Sequence, residues 1–127
     1  MLIREGVRPI PPMQEAVKGL KDADIQAIAT HFAGLPAKPS DEKIDAALAA
    51  KGAELAPALQ CISCHKTDLS GQVQMPRLAR QRLDYLITAL KSFRDGRRSG
   101  ADPLMVNAIL GRSDAEIEAL GHYAASK

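Results

Sequence analysis

The chain is 127 residues long, enough for one ordinary domain or a small domain with an attachment, and carries 17 basic against 15 acidic side chains for a net charge of +2. The two signs are mixed along the sequence, so nothing calls for nucleic acid or an anionic membrane as a partner, and no apolar run approaches the ~18 residues of a membrane span. Two Phe, two Tyr and no Trp make a thin aromatic supply for a core of this size.

The first dozen residues hold Arg4, Glu5, Arg8 and three prolines, which is not the apolar stretch of a secretory signal. Beyond them the pattern is helical. Ile25, Ile28, Ala29 and Phe32 recur at three- and four-residue spacing, and Gly34 followed by Leu35 and Pro36 ends that helix. Residues 37–43 read as a linker and a helix start, with Ser40 capping a first turn that holds Asp41 and Glu42. Ile44, Leu48, Gly52 and Leu55 line one face of this helix, and Pro57 is expected to stop it. A helix from about Arg80 to Phe93 has Leu83, Leu86, Ile87, Leu90 and Phe93 as its apolar stripe. Residues 94–103, rich in Gly and charge, form a loop. The last helix opens on a capping box of Ser113 and Glu116 and buries Ile117, Leu120 and Tyr123 or Ala124. No alternating run is long enough for a strand, so the fold class is all-α.

An internal repeat sets the domain map. Met13, Ala16, Val17 and Gly19 answer Met105, Ala108, Ile109 and Gly111; Asp22, Ala23, Asp24, Ile25 and Ala27 answer Asp114, Ala115, Glu116, Ile117 and Ala119, all at an offset of 92 residues. Upstream, Arg4, Glu5 and Gly6 answer Arg94, Asp95 and Gly96, with two residues fewer before the methionine. Helical periodicity alone does not demand a matching Met, Gly and Asp at one offset. Residues 1–36 therefore read as the back end of one unit, and 44–127 as a complete second one.

Between the two middle helices lies Cys61-Ile62-Ser63-Cys64-His65. Two thiols three positions apart can each add across one haem vinyl group, and the histidine that follows then sits under the iron as an axial ligand. A structural zinc site wants four ligands, and the chain has no third cysteine. A thioredoxin-like redox pair wants the motif in a βαβ pattern, which is absent. A buried porphyrin would also make good the shortage of aromatic side chains.

Helix, C-x-x-C-H, proline loop, helix, methionine, helix: this order resembles the class I c-type cytochromes of the bacterial periplasm. The likeness to the second domain of two-haem cytochrome c4 type proteins rests on Lys51-Gly52, on Met75-Pro76-Arg77-Leu78-Ala79-Arg80-Gln81, on Tyr85-Leu86, on the run from Leu90 to Arg98, and on Met105 followed by the Ser113 helix. It implies a class I cytochrome c fold over 44–127, with helices wrapped around one covalently bound haem c and its iron, and a helical remnant of a preceding cytochrome domain over 1–36. It also implies export, so Met1 is not expected to be the natural mature start. Two departures are Lys66 and Arg80, where the family usually has glycine.

The resemblance further implies that the Pro76 carbonyl accepts the proton of His65 and that Met105 is the sixth ligand. A thioether is soft and neutral, and a Met/His pair raises the reduction potential, which suits an electron carrier. Met75, in the loop after the motif, is the competing methionine, and His31 and His122 read as solvated helix histidines or as a bis-His alternative. Arg94, Arg97 and Arg98 match propionate geometry, or they are a solvated loop. The expected function is periplasmic electron transfer without catalysis, by a soluble shuttle or a cytochrome subunit of a dehydrogenase or oxidase complex. Redox partner proteins are implied, and a companion fragment or second copy is expected on residues 1–36. The alternatives are a haem enzyme or gas sensor with an open sixth position, and a haem-free zinc or redox-disulfide module.

Overall fold

A computed structural model describes residues 3–7, 9–38 and 41–127. Its helices are α1 (Pro11–Val17), α2 (Asp22–Ala33), α3 (Ala46–Ala58), α4 (Cys61–His65), α5 (Leu83–Arg94), α6 (Pro103–Ile109) and α7 (Asp114–Ala125). Among the described residues the sole β feature is an isolated bridge between Gln72 and Met75. The chain divides into two compact units, Met1–Ala37 and Lys38–Lys127.

In the first unit α1 begins on Pro11, whose fixed φ and missing N–H suit a first helical position. Asp24 then caps α2 by accepting the backbone N–H of Lys21 at 2.9 Å. Neither helix buries a residue: Ile28 is 46% exposed and Phe32 66%. Their lengths, 7 and 12 residues, are those of α6 and α7, and all four helix boundaries repeat at the offset of 92.

The second unit has its core where α7 crosses α3 and α5. Ile117, Leu120, Tyr123 and Ala124 of α7 are buried with Ala56 of α3 and Leu86 of α5, each large side chain worth about 1.5–3 kcal/mol of burial. The crossing of α3 and α7 is close because Gly52 has no side chain. A Cβ there would collide with the Ala119 carbonyl and would stand 2.6 Å from the Tyr123 Cβ.

The helix boundaries correct four expectations. Ser40 lies outside the described residues, and α3 begins at Ala46, where the Asp45 carboxylate accepts the N–H groups of Ala47 and Leu48 at 2.9 and 3.0 Å. Glu42 is not in a first turn; it reaches across to accept the Leu83 N–H at 2.6 Å and so caps α5. Pro57 stays inside α3, which ends one residue later, because a proline in the last turn forfeits a single bond. The α5 helix starts at Leu83 rather than Arg80, whose φ of +61° is not helical. The capping box at Ser113 and Glu116 forms as expected, with Ser113 N–H to Glu116 Oε2 at 2.8 Å.

Candidate haem-attachment site

The site grows out of the end of α3. Gln60 turns the chain through a left-handed conformation (φ 57°, ψ 21°), and one helical turn, α4, follows at once. Positions i, i+3 and i+4 of a helix share a face, so this turn groups Cys61, Cys64 and His65. Neither cysteine is in a disulfide; Cys61 is half-buried and Cys64 exposed, and before attachment burial pushes the Cys61 thiol up. His65 is buried, 6% exposed.

The loop after α4 folds back onto it. Gly71 N–H donates to the His65 carbonyl at 3.0 Å, and Gln72 Nε2 to the Cys64 carbonyl at 3.0 Å. Gly71 has φ +77°, and a Cβ there would lie 2.5 Å from the Met75 oxygen and 2.6 Å from the Arg77 nitrogen, so only glycine lets the two arms of the loop approach. This brings the Pro76 carbonyl to 2.8 Å from His65 Nδ1. A carbonyl only accepts, so Nδ1 carries the proton and Nε2 presents its lone pair. That tautomer is the one a metal-ligating imidazole needs. The donor set therefore fits a covalently held haem: two thiols and a fixed, unprotonated imidazole nitrogen on one turn.

Among the described residues, five that are not glycine have positive φ, and all lie between 60 and 80: Gln60, Lys66, Leu69, Val73 and Arg80. Such conformations gather where function over-determines the backbone. Lys66 (φ 67°, ψ 164°) and Arg80 are the two positions at which the resemblance implies glycine.

Met105 is half-buried in α6, which Asp102 caps and which packs on α5. Met75 is half-buried in the loop, its backbone closed on Gln72 by bonds of 2.9 and 2.6 Å. Met13 is 44% exposed in the first unit. His31 is exposed, edge-on to Phe32. His122 differs from a merely solvated residue, because its Nδ1 accepts the Asp45 N–H at 3.0 Å and ties α7 to the cap of α3.

Arg94 and Arg97 have carboxylate partners within the protein. Arg94 donates to Asp95, to Asp114 and to the Arg112 carbonyl at 2.7, 2.6 and 3.1 Å, and Arg97 pairs with Asp95 at 2.7 Å. Arg98 lies over the Phe93 ring, 4.7 Å from its centroid. Among the described residues no three or more His, Cys, Asp or Glu side chains group so as to hold a metal ion, as a zinc reading would need.

A small helical unit with its thiols and fixed imidazole on one turn, and a returning proline loop behind them, defines a c-type cytochrome domain. The cytochrome c family profile matches residues 49–126, and the chain belongs to that family. It carries one covalently bound haem c with its iron and is an electron-transfer cytochrome domain. The chain is similar to the thiosulfate dehydrogenase electron acceptor of Stutzerimonas stutzeri, 29% identical over 97% of this chain and 62% of that protein. It thus spans about three-fifths the length of that relative. Among solved structures it resembles cytochrome c4 of Acidithiobacillus ferrooxidans, with a TM-score of 0.84 and 26% identity over 99% of this chain and 79% of the other. It also resembles the thiosulfate dehydrogenase TsdBA of Marichromatium purpuratum, with a TM-score of 0.73 and 29% identity over 98% of this chain and 29% of the other.

Proposed function

We propose that this chain is a periplasmic, non-catalytic electron carrier that accepts single electrons from a thiosulfate dehydrogenase and passes them on, with His65 and Met105 as the axial ligands. The observation that carries the reading is the 2.8 Å contact of His65 Nδ1 with the Pro76 carbonyl, which leaves Nε2 as a lone-pair donor beside the two thiols. Bound haem supplies the one-electron couple. Cys61 and Cys64 would tether it, Pro76 holds the imidazole in orientation, and the Met105 thioether would supply the second protein ligand. With His65 and Met105 both bound to the iron, no position would be left open for a substrate. The donor is suggested by the relative and the solved structure that bear the name of that dehydrogenase.

The Met1–Ala37 unit belongs, in this reading, to a preceding cytochrome domain. Support comes from the shared helix boundaries and from the uncovered face of α2: Ala27 and Ile28 are exposed, while Ala119 and Leu120 at the same repeat positions are buried against the rest of their own unit. What covers the matching face of α7 is α3. The proposed occupant of the α2 face is therefore a segment of the α3 kind, with its own haem-attachment turn.

The test pairs Met105→Ala with Met75→Ala in the purified holoprotein. Loss of the methionine-to-iron absorption at the red edge and a lowered potential in Met105→Ala alone are expected; loss in Met75→Ala instead refutes the assignment. Mixing the wild type with thiosulfate and thiosulfate dehydrogenase should reduce it, and a cytochrome that stays oxidised there while ascorbate reduces it would remove that donor.

A further inference from the structure

We infer that Arg94 is a positioning residue for Met105: its guanidinium closes the loop that carries the methionine and so holds the thioether in place. The role rests on the reading of Met105 as ligand. The α5 helix ends at Arg94, the chain then travels out through α6, and it returns at Arg112 to start α7. One side chain ties the two ends of this excursion together. Nη1 of Arg94 reaches the Arg112 carbonyl at 3.1 Å and Asp114 Oδ1 at 2.6 Å, while Nε holds Asp95 at 2.7 Å. Lys91 adds a second strap to Asp114 at 3.0 Å. The Arg94 side chain is 21% exposed, so these charge-assisted bonds are partly shielded from water.

The same clamp occurs twice in the molecule. In the first unit Arg4 holds Glu5 at 2.8 Å with Nε, the Leu20 carbonyl at 3.0 Å with Nη1, and Asp22 at 2.6 Å with Nη2. Leu20 and Asp22 are the repeat counterparts of Arg112 and Asp114, and the loop that Arg4 closes contains Met13, the counterpart of Met105. The first unit's loop is two residues shorter between arginine and methionine, and the clamp still closes on residues at matching positions. Residues 1–37 hold no cysteine, so the clamp recurs in a unit whose own residues include no Cys-x-x-Cys-His turn. A chain that twice encloses a methionine at one register with one arginine fork is holding that loop shut.

The test uses holoprotein variants and three readings: the methionine-to-iron absorption of the oxidised form, the reduction potential, and the rate of cyanide binding to the oxidised iron. Arg94→Gln is expected to weaken the absorption, lower the potential and speed cyanide binding roughly tenfold, the weight of one charge-assisted bond. Asp114→Asn should reproduce much of this, and the double variant should add little, since both cut one clamp. Arg4→Gln makes the same chemical change at the other copy and should move none of the three. If Arg94→Gln fails to mature with haem, Asp114→Asn alone decides. A merely structural clamp would lower the melting temperature and leave cyanide binding and absorption at wild-type values, which overturns the inference. A propionate role would shift the potential in Arg94→Gln but not in Asp114→Asn, which overturns it too. Met105→Ala is measured beside them: no effect there refutes the ligand reading and the clamp's role with it, whereas an effect there with none in Arg94→Gln and Asp114→Asn refutes the clamp alone.

Discussion

Replacing Lys66 by glycine should stabilise the second unit. The residue leaves α4 at φ 67°, ψ 164°, a region that is essentially reserved for glycine and costs another residue about 1–3 kcal/mol. The conformation is forced from both sides: His65 must face the Pro76 carbonyl, and Gly71 N–H must reach the His65 carbonyl at 3.0 Å. The exposed lysine side chain offers little packing to lose. Against the relief stands the larger entropy of glycine in the unfolded chain, about 0.5–1 kcal/mol. The balance is a gain of roughly 1 kcal/mol, which for a domain of this size is about 4–8 °C in melting temperature. Lys66→Ala separates the causes, because it removes the same charge beside Asp68 and keeps the Cβ that makes the conformation costly. Thermal and urea unfolding of the oxidised holoproteins should rank Lys66→Gly above both wild type and Lys66→Ala. Equal stability of the glycine and alanine variants would show that the backbone there carries no strain, and the reasoning would fail.

Acid should loosen the second unit, because its carboxylates are held below their ordinary values. Arg94 and then Lys91 lower Asp114, Arg94 lowers Asp95, and the Leu48 N–H lowers Asp45. A depressed carboxylate contributes stability that is complete above its unfolded value of 3.8 and is lost as pH falls through the lower folded one. The urea midpoint should be flat near neutrality and drop below pH 3.8, and Asp114→Asn should lower the plateau and flatten that drop; a parallel drop in the variant would count against the assignment. On the first unit, changing Ile28 and Phe32 together to Asp should abolish association with a haem-bearing companion or second copy while leaving the haem spectrum intact. Solution mass and haem-to-chain ratio read this out, and an unchanged monomer in both forms would remove the docking role of α2.

What could be read from the sequence was what neighbours decide. The attachment turn needs only residues 61–65 and helical spacing, and the capping box at Ser113 closes within four residues. The repeat was legible because both copies keep a methionine, a glycine and the acidic first turn of the following helix in register. What escaped was decided at long range. The start of α3 moved from Ser40 to Asp45, where a carboxylate can take two amides while its own N–H meets His122, 77 positions away. The start of α5 moved to Leu83 because Glu42, 41 positions back, supplies the cap. Lys66 and Arg80 stood out only as departures from the glycines that the resemblance implied, and each adopts a positive φ, the region that favours glycine. Arg94 was legible as a charge but not as a clamp, since Asp114 lies 20 residues on. Yet the pairing of Arg4 with Asp22 follows the same order of residues, so a repeat carries information a single copy does not: when a charge and its distant partner recur together across a change of loop length, the contact between them is what the sequence is preserving.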